Sequence, residues 1–257
     1  MLCTPAAVEG AHMVDLEGRV AIVTGSTSGI GEATARHLAD AGVRVVVNSS
    51  QSVHVGEELA GALPTESIYV RADISDEEQD RALVAATIER FGRLDVLVNN
   101  AGWTARVPHH DLDALTNDIL TRTIEVNVYG TWWITRAAMP HLRESPDGVV
   151  VNITSIAGLR PVGSSTAYGM AKAALNMLTV DLAKHCGPVR VNAVAPGLVA
   201  TPWTADWDDL HAAISATAPA GRSATPDDCA LAVMSCVTNT YMTGAVVKVD
   251  GGTTLMI

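Results

Sequence analysis

Two short apolar runs, Val20-Ala21-Ile22-Val23-Thr24 and Val43-Arg44-Val45-Val46-Val47, bracket a helix-length segment from about Gly29 to Ala41. Nothing else in the chain restricts its fold so strongly. Runs this short and this rich in β-branched residues read as strands. Strands joined through a helix pair in parallel, as a βαβ unit of about 30 residues with a right-handed crossover. The pattern recurs, with further strand candidates at Ser67–Arg71, Leu94–Asn99, Val149–Thr154, Val189–Ala195 and Ala245–Val249. Ser75 or Asp76 is placed to cap the helical stretch between the third and fourth strands. The strands are almost continuously apolar, as expected where helices cover both faces of a sheet. The chain therefore reads as doubly wound α/β, with about seven parallel strands.

At 257 residues the chain fits one large domain, and no repeat, linker or low-complexity tract divides it. The domain is expected over residues 15–257. Met13 opens a stretch that reads as a domain start, so residues 1–14 are expected to be a flexible extension, or in part the product of an upstream start codon. Seventeen basic against 28 acidic residues give a net charge of −11 without a basic cluster, which argues against nucleic acid or an anionic membrane as partner. Cys3, Cys186, Cys229 and Cys236 have no metal-ligand or C-x-x-C spacing and read as thiols of a reducing compartment. His109 and His110 lack a third ligand and read as surface, so no metal is expected. With no leader-like start and no apolar run of about 18 residues, a soluble cytoplasmic protein is expected.

Between the first strand and helix lies Thr24-Gly25-Ser26-Thr27-Ser28-Gly29-Ile30-Gly31. Glycines at such a turn let backbone approach a pyrophosphate and leave the helix-terminal N–H groups facing the anion. The spacing G-x-x-x-G-x-G departs from the generic dinucleotide fingerprint, but the strand–loop–helix context is that of a Rossmann-type fold.

Further along, Tyr168 and Lys172 are four residues apart, hence on one face of a helix if both lie on it. An ammonium beside a phenol stabilises the phenolate and draws its pKa down from about 10. Ser155 closes the apolar run Val149–Thr154, at a strand's carboxyl end facing that helix. A hydroxyl that binds a carbonyl or alcohol oxygen, beside a tyrosine that moves a proton on or off it, suggests carbonyl/alcohol interconversion.

Together, Thr24–Gly31, Asn99-Asn100-Ala101-Gly102, Asn127, Ser155, Tyr168 with Lys172, Pro196-Gly197 and Val249-Asp250-Gly251-Gly252 resemble the short-chain dehydrogenase/reductase family over roughly residues 15 to 252. The resemblance implies a nicotinamide cofactor. Gly25, Ser26, Ile30 and Gly31, with Thr27, Ser28 and Gly29 between them, would hold its adenosine diphosphate half. Asp73, followed by Ile74, would contact the adenine, and Asn99, followed by Ala101 and Gly102, would contact the adenosine ribose region and steady the sheet. Pro196, Gly197, Val199 and Thr201 would line the nicotinamide. Tyr168 would be the acid/base and Ser155 would polarise the substrate oxygen. Lys172 would bind the nicotinamide ribose and depress the tyrosine pKa, and Asn127 would hold a water in a relay to Lys172.

NAD-preferring relatives place a carboxylate at the end of the second strand. That place falls here on Ser49, with Ser50 next, so NADP(H) is favoured over NAD(H); Arg36 and Arg71 are the cations within possible reach. On the substrate side the resemblance places Trp103 beside the pocket and Trp203 and Trp207 in a lid of about residues 198–225, with Leu159, Val162 and Met170 as further lining. Such walls suit a hydrophobic or aromatic carbonyl compound. The alternative for Trp203 and Trp207 is packing of the lid on its own helix. Of Trp132 and Trp133, one is expected in the core and the other against a partner copy, since relatives pair through this helix and the one bearing Tyr168; a homotetramer, or a homodimer, is implied. The leading expectation is an NAD(P)-dependent oxidoreductase acting on a ketone/secondary alcohol pair. The alternatives are a 3-oxoacyl-[acyl-carrier-protein] reductase and a non-catalytic dinucleotide-binding regulator.

Overall fold

A computed structural model describes residues 14–256. The expectations for residues 1–13, Cys3 among them, lie outside the described residues. Seven strands form one parallel sheet, β1 (Val20–Val23), β2 (Arg44–Ser49), β3 (Ile68–Arg71), β4 (Val96–Asn99), β5 (Val149–Ile153), β6 (Arg190–Pro196) and β7 (Val246–Val249), in the order β3-β2-β1-β4-β5-β6-β7. The order reverses between β1 and β4. A crevice opens there at the carboxyl ends of the strands, because their crossovers leave to opposite sides.

Helices cover both faces. Those described are α1 (Gly29–Asp40), α2 (Val53–Ala62), α3 (Glu77–Phe91), α4 (Asn117–Ile124), α5 (Thr131–Glu144), α6 (Thr166–His185), α7 (Asp208–Thr217) and α8 (Pro226–Thr238). Two apolar layers result. Val23, Val45, Val47 and Val98 pack on one side with Leu38 and Val233, and Ile22, Val46, Leu97 and Val150 on the other with Leu83, Ile134 and Leu142. Burial on both faces explains the unbroken valine runs. Asp76, not Ser75, caps α3, its carboxylate accepting from the amides of Glu78 and Gln79.

Two elements depart from the sequence reading. Asn127 lies inside a π-helical turn, Glu125–Gly130, that joins α4 to α5 without a break, a feature that no sequence pattern marks. Neither Trp132 nor Trp133 is core: Trp132 is exposed and Trp133, half-buried, stacks on Tyr129 with ring centroids 5.7 Å apart. No helix among the described residues is long and apolar enough to cross a membrane.

Candidate active site

The carboxyl ends of β1, β2 and β4 form the first half of the crevice, and a small set of polar side chains fixes their spacing. Thr24 Oγ1 accepts the amides of Asn100 and Ala101, both at 3.0 Å. Asn100 Nδ2 donates back to the carbonyls of Thr24 and Gly25, both at 2.9 Å. Asn48, a lone amide at the end of a valine run, donates to Val70 and Ala72 and accepts the Gly25 amide. Ser26 is fully buried, its hydroxyl donating to Val23 O at 2.7 Å and accepting the Asn48 amide. The side chains of Thr24, Ser26, Asn48 and Asn100 are thus committed to the protein itself.

The loop itself leaves room for one. Gly25 and Gly29 have φ of 60° and 57°, in the left-handed region that glycine alone visits cheaply. A Cβ on Gly31 would stand 2.5 Å from Asn100 Nδ2 and Gly25 O, so the first turn of α1 can pack against the loop only as glycine. Ser28, at the N-cap of α1, gives its side chain to no backbone amide, so the first amides of the helix are open toward the crevice. Such a terminus favours a phosphate. The residues present therefore fit a dinucleotide.

The cleft has a volume of about 940 Å3. Along its floor run Gly25, Thr27, Ser28, Gly29 and Ile30, then Ala101 and Gly102. Ser49, Ser50, Asp73 and Ile74 close one end, and Pro196, Gly197, Val199 and Thr201 line the far side. Three expected contacts are not walls. Ser26 and Gly31 lie beneath the loop, and Asn99 is turned into the sheet, donating to Thr135 Oγ1 at 2.9 Å and Asn152 Oδ1 at 2.8 Å. Asn99 joins strands and helices, and Asn100 takes the cleft position. Period-two alternation makes one of two adjacent residues face in and the other up, so Asn99 steadies the sheet as expected while Asn100 lines the cleft in its place. Asn48 and Arg122 are also cleft walls that the sequence reading missed. An amide within a valine run was the available signal for Asn48; Arg122 had none.

At the β2–β3 end of the cleft, Ser49 is engaged with Tyr69 Oη (3.0 Å) and the Ser52 amide (3.1 Å). Arg71 Nε donates to Ser50 O at 2.9 Å, and its guanidinium forms no ion pair with a described residue. Arg36 is held by Glu32 on α1. Asp73 accepts from Ser75 and faces Arg122 at 3.7 Å; these outweigh the opposing effect of burial and keep its carboxyl below the usual range.

The second half contains the chemistry-bearing side chains. Ser155 follows β5, and Ser165 caps α6 by accepting the Tyr168 amide, which sets Tyr168 on the first turn, facing the cleft. Lys172, one turn later, is 3% exposed, with Nζ donating to Ile153 O at 2.9 Å and 5.5 Å from the Tyr168 ring centroid. Burial pushes the Tyr168 phenol up to about 12, with the nearby Ser155 hydroxyl pulling the other way. Burial pulls Lys172 down to about 8. This corrects the expected depression of the tyrosine: the ammonium is engaged with a carbonyl rather than with the phenol, so desolvation governs both groups. Asn127, fully buried, donates to Trp103 O (2.7 Å) and Thr123 O (2.8 Å), behind the cleft wall rather than on it.

Trp103, Val162, Trp203 and Trp207 line the cleft around Tyr168, with Leu210 and Ile214 from α7. Leu159 and Met170 do not. Met170 is two residues past Tyr168, on the opposite face of α6, and is 54% exposed. Leu159 borders a separate small cavity with Val246 and Lys248. Trp203 packs edge-on against Tyr168, centroids 6.4 Å apart at 73°, so it faces the cleft instead of packing the lid on its own helix.

A family model described as enoyl-(acyl carrier protein) reductase matches residues 25–254. The chain is 51% identical over 244 residues to "Granaticin polyketide synthase putative ketoacyl reductase 2" of Streptomyces violaceoruber, covering 93% of this chain and 98% of that protein. It is 32% identical to a 3-oxoacyl-[acyl-carrier-protein] reductase of Thermotoga maritima, covering 92% and 98%. A solved structure named as a short chain dehydrogenase/reductase family protein superposes with a TM-score of 0.82 at 33% identity, over 93% and 99% of the two chains. With this fold, this cleft and these relatives, the chain belongs to the short-chain dehydrogenase/reductase family, NAD(P)-dependent oxidoreductases that interconvert alcohol and carbonyl groups.

Proposed function

We propose that the protein reduces a hydrophobic ketone to a secondary alcohol with NADPH, Tyr168 donating the proton. One observation carries the reading. The Tyr168 phenol, Ser155 and the buried Lys172, one helical turn from the tyrosine, converge on a single aromatic-walled cleft. A phenol so placed is protonated at neutral pH and within reach of a carbonyl oxygen held by Ser155.

When bound, the cofactor supplies the hydride. Ser155 orients the substrate by hydrogen-bonding the carbonyl oxygen, which polarises it and aims it at Tyr168. Tyr168 passes its proton to that oxygen as negative charge builds there, and Lys172, cationic below about pH 8 and held by Ile153 O, keeps a positive charge 5.5 Å from the ring without bonding the phenol. Asn127 steadies this arrangement through the Trp103 backbone. Trp103, Trp203 and Trp207 keep bulk water from the oxygen, which strengthens each of these interactions.

The first amides of α1 would hold the pyrophosphate, Asp73 with Ile74 the adenine, and Pro196, Gly197, Val199 and Thr201 the nicotinamide. NADP(H) is favoured because no carboxylate ends β2. Ser50 and the guanidinium of Arg71, which forms no ion pair with a described residue, stand where an adenosine 2′-phosphate could be met. A homotetramer, or a homodimer, belongs to the same proposal, supported by the exposed Tyr129, Trp132, Met170, Met177 and Val180 on the π turn, α5 and α6.

A second reading, reduction of a ketoacyl group on an acyl carrier protein, draws support from the names of both relatives. A net charge of −11 opposes docking of an acidic carrier. The test is consumption of NADPH and NADH with free aryl ketones and with a ketoacyl thioester. Ketone-dependent oxidation of NADPH, about tenfold faster than of NADH at equal low concentration, is expected. Turnover of the carrier-bound thioester alone would favour the second reading.

A further inference from the structure

The lid stands on the molecule as a separate unit. At its base, Val199 and Ala224 form a parallel bridge, the Ala200 amide donating to Ala224 O and the Ala224 amide to Leu198 O, both within 2.9 Å. His211 ties α7 to that base, with Nδ1 2.7 Å from Ser223 Oγ and Nε2 3.2 Å from Thr204 Oγ1. Beyond these bonds α7 has no fully buried residue. A ten-residue helix with nothing in the core has little of its own to hold it against the cleft.

What holds it comes from the opposite wall. The segment after Trp103 is pinned to the stretch before α6, since the Val107 amide donates to Ser164 O at 2.8 Å and Thr104 Oγ1 meets Ser164 Oγ at 2.6 Å. From this fixed strip Arg106 reaches across. Its guanidinium carbon lies 5.2 Å from the Trp207 ring centroid, and Nη2 is 3.6 Å from Asp209 Oδ2. One side chain thus engages the N-cap of α7 and its first turn. A few residues earlier in the lid, the tip of Trp203 lies 3.5 Å from where a Cβ on Gly102 would sit, beside Tyr168.

We propose that Arg106 is a positioning residue for the reaction: it latches the lid across the cleft mouth and so sets Trp203 over Tyr168. Arg106 touches neither Tyr168 nor Lys172 and acts only through Trp207 and Asp209. A planar guanidinium can lie on an indole while pairing with a carboxylate, which an ammonium does less well, so lysine at this position is a partial substitute. The inference rests on the cleft being the catalytic one, and its first test is independent of turnover.

That test is hydrogen–deuterium exchange of residues 203–217 in the free protein, for wild type, Arg106→Ala and Arg106→Lys. Exchange in Arg106→Ala is expected about tenfold faster, equivalent to about 1.4 kcal/mol of lid closure, with Arg106→Lys between and the sheet unchanged. In turnover, Arg106→Ala is expected to raise KM for the ketone several-fold and leave NADPH affinity unaltered. Equal exchange in wild type and Arg106→Ala overturns the latch, whether or not a ketone is reduced. Faster exchange in a protein that reduces no ketone keeps the latch and overturns the proposed function instead. Loss of NADPH affinity with KM unchanged would place Arg106 in the cofactor half and also overturn the proposal.

Discussion

The two halves of the cleft are built on opposite principles. In the cofactor half, Thr24, Ser26, Asn48 and Asn100 engage one another and the strand ends in hydrogen bonds that exist without any ligand. In the lid half, α7 buries no residue fully and crosses the mouth on Arg106, Trp207 and Asp209. A preorganised half binds what the family shares, and a loosely held half is free to vary with substrate. The contrast also says where a substitution costs stability and where it costs selectivity.

Gly31→Ala should break the first half most severely. Its Cβ would meet Asn100 Nδ2 and Gly25 O at 2.5 Å and Ser26 Cα at 2.8 Å, three atoms that the hydrogen-bonded floor holds in place. NADPH affinity should fall by about 100-fold, roughly 2.7 kcal/mol, with a lower Tm, as read by fluorescence titration and thermal melting. Arg106→Ala, on the other half, should leave Tm nearly unchanged. Equal loss of Tm in both variants would erase the contrast.

The pH dependence sharpens the comparison. Lys172 lies in neither the glycine-loop floor nor the lid but is fixed to β5 through Ile153 O, and burial lowers its pKa to about 8. Its ammonium is therefore present below that pH and lost above it. Reduction measured as kcat/KM should be level below about pH 8 and fall by up to tenfold per unit above it. Tyr168, at about 12, adds no break in the working range. Because the lid does not contact Lys172 through Arg106, Arg106→Ala should lower kcat/KM without moving the midpoint. A midpoint that moves with the lid variant would show the lid to be coupled to Lys172.

What the sequence revealed follows the same division. The parallel sheet was legible because burial on both faces favours short β-branched runs such as Val45-Val46-Val47, separated by helix-length segments. The glycine loop and the Tyr168/Lys172 pair were legible because close backbone approach and helical spacing each demand particular residues at particular intervals. Less local matters were not. Asn99 and Asn100 differ in role only through the facing of one strand end, and Asn127 sits in a π turn that no periodicity announces. Met170 and Leu159, expected as pocket lining, lie elsewhere: helix rotation turns the first outward and chain direction carries the second to another cavity. The Arg106 contact joins residues about 100 positions apart, as long-range packing does, and only the folded chain displays it.

Tyr168→Phe tests the catalytic reading most directly. The substitution removes one oxygen and keeps the ring that packs against Trp203 and Lys172. If Tyr168 donates the proton, ketone reduction should fall by about 10³-fold or more while NADPH titrates the variant as it does the wild type. Turnover within a few-fold of wild type, with the cofactor still bound, would contradict that role and require another acid in the cleft.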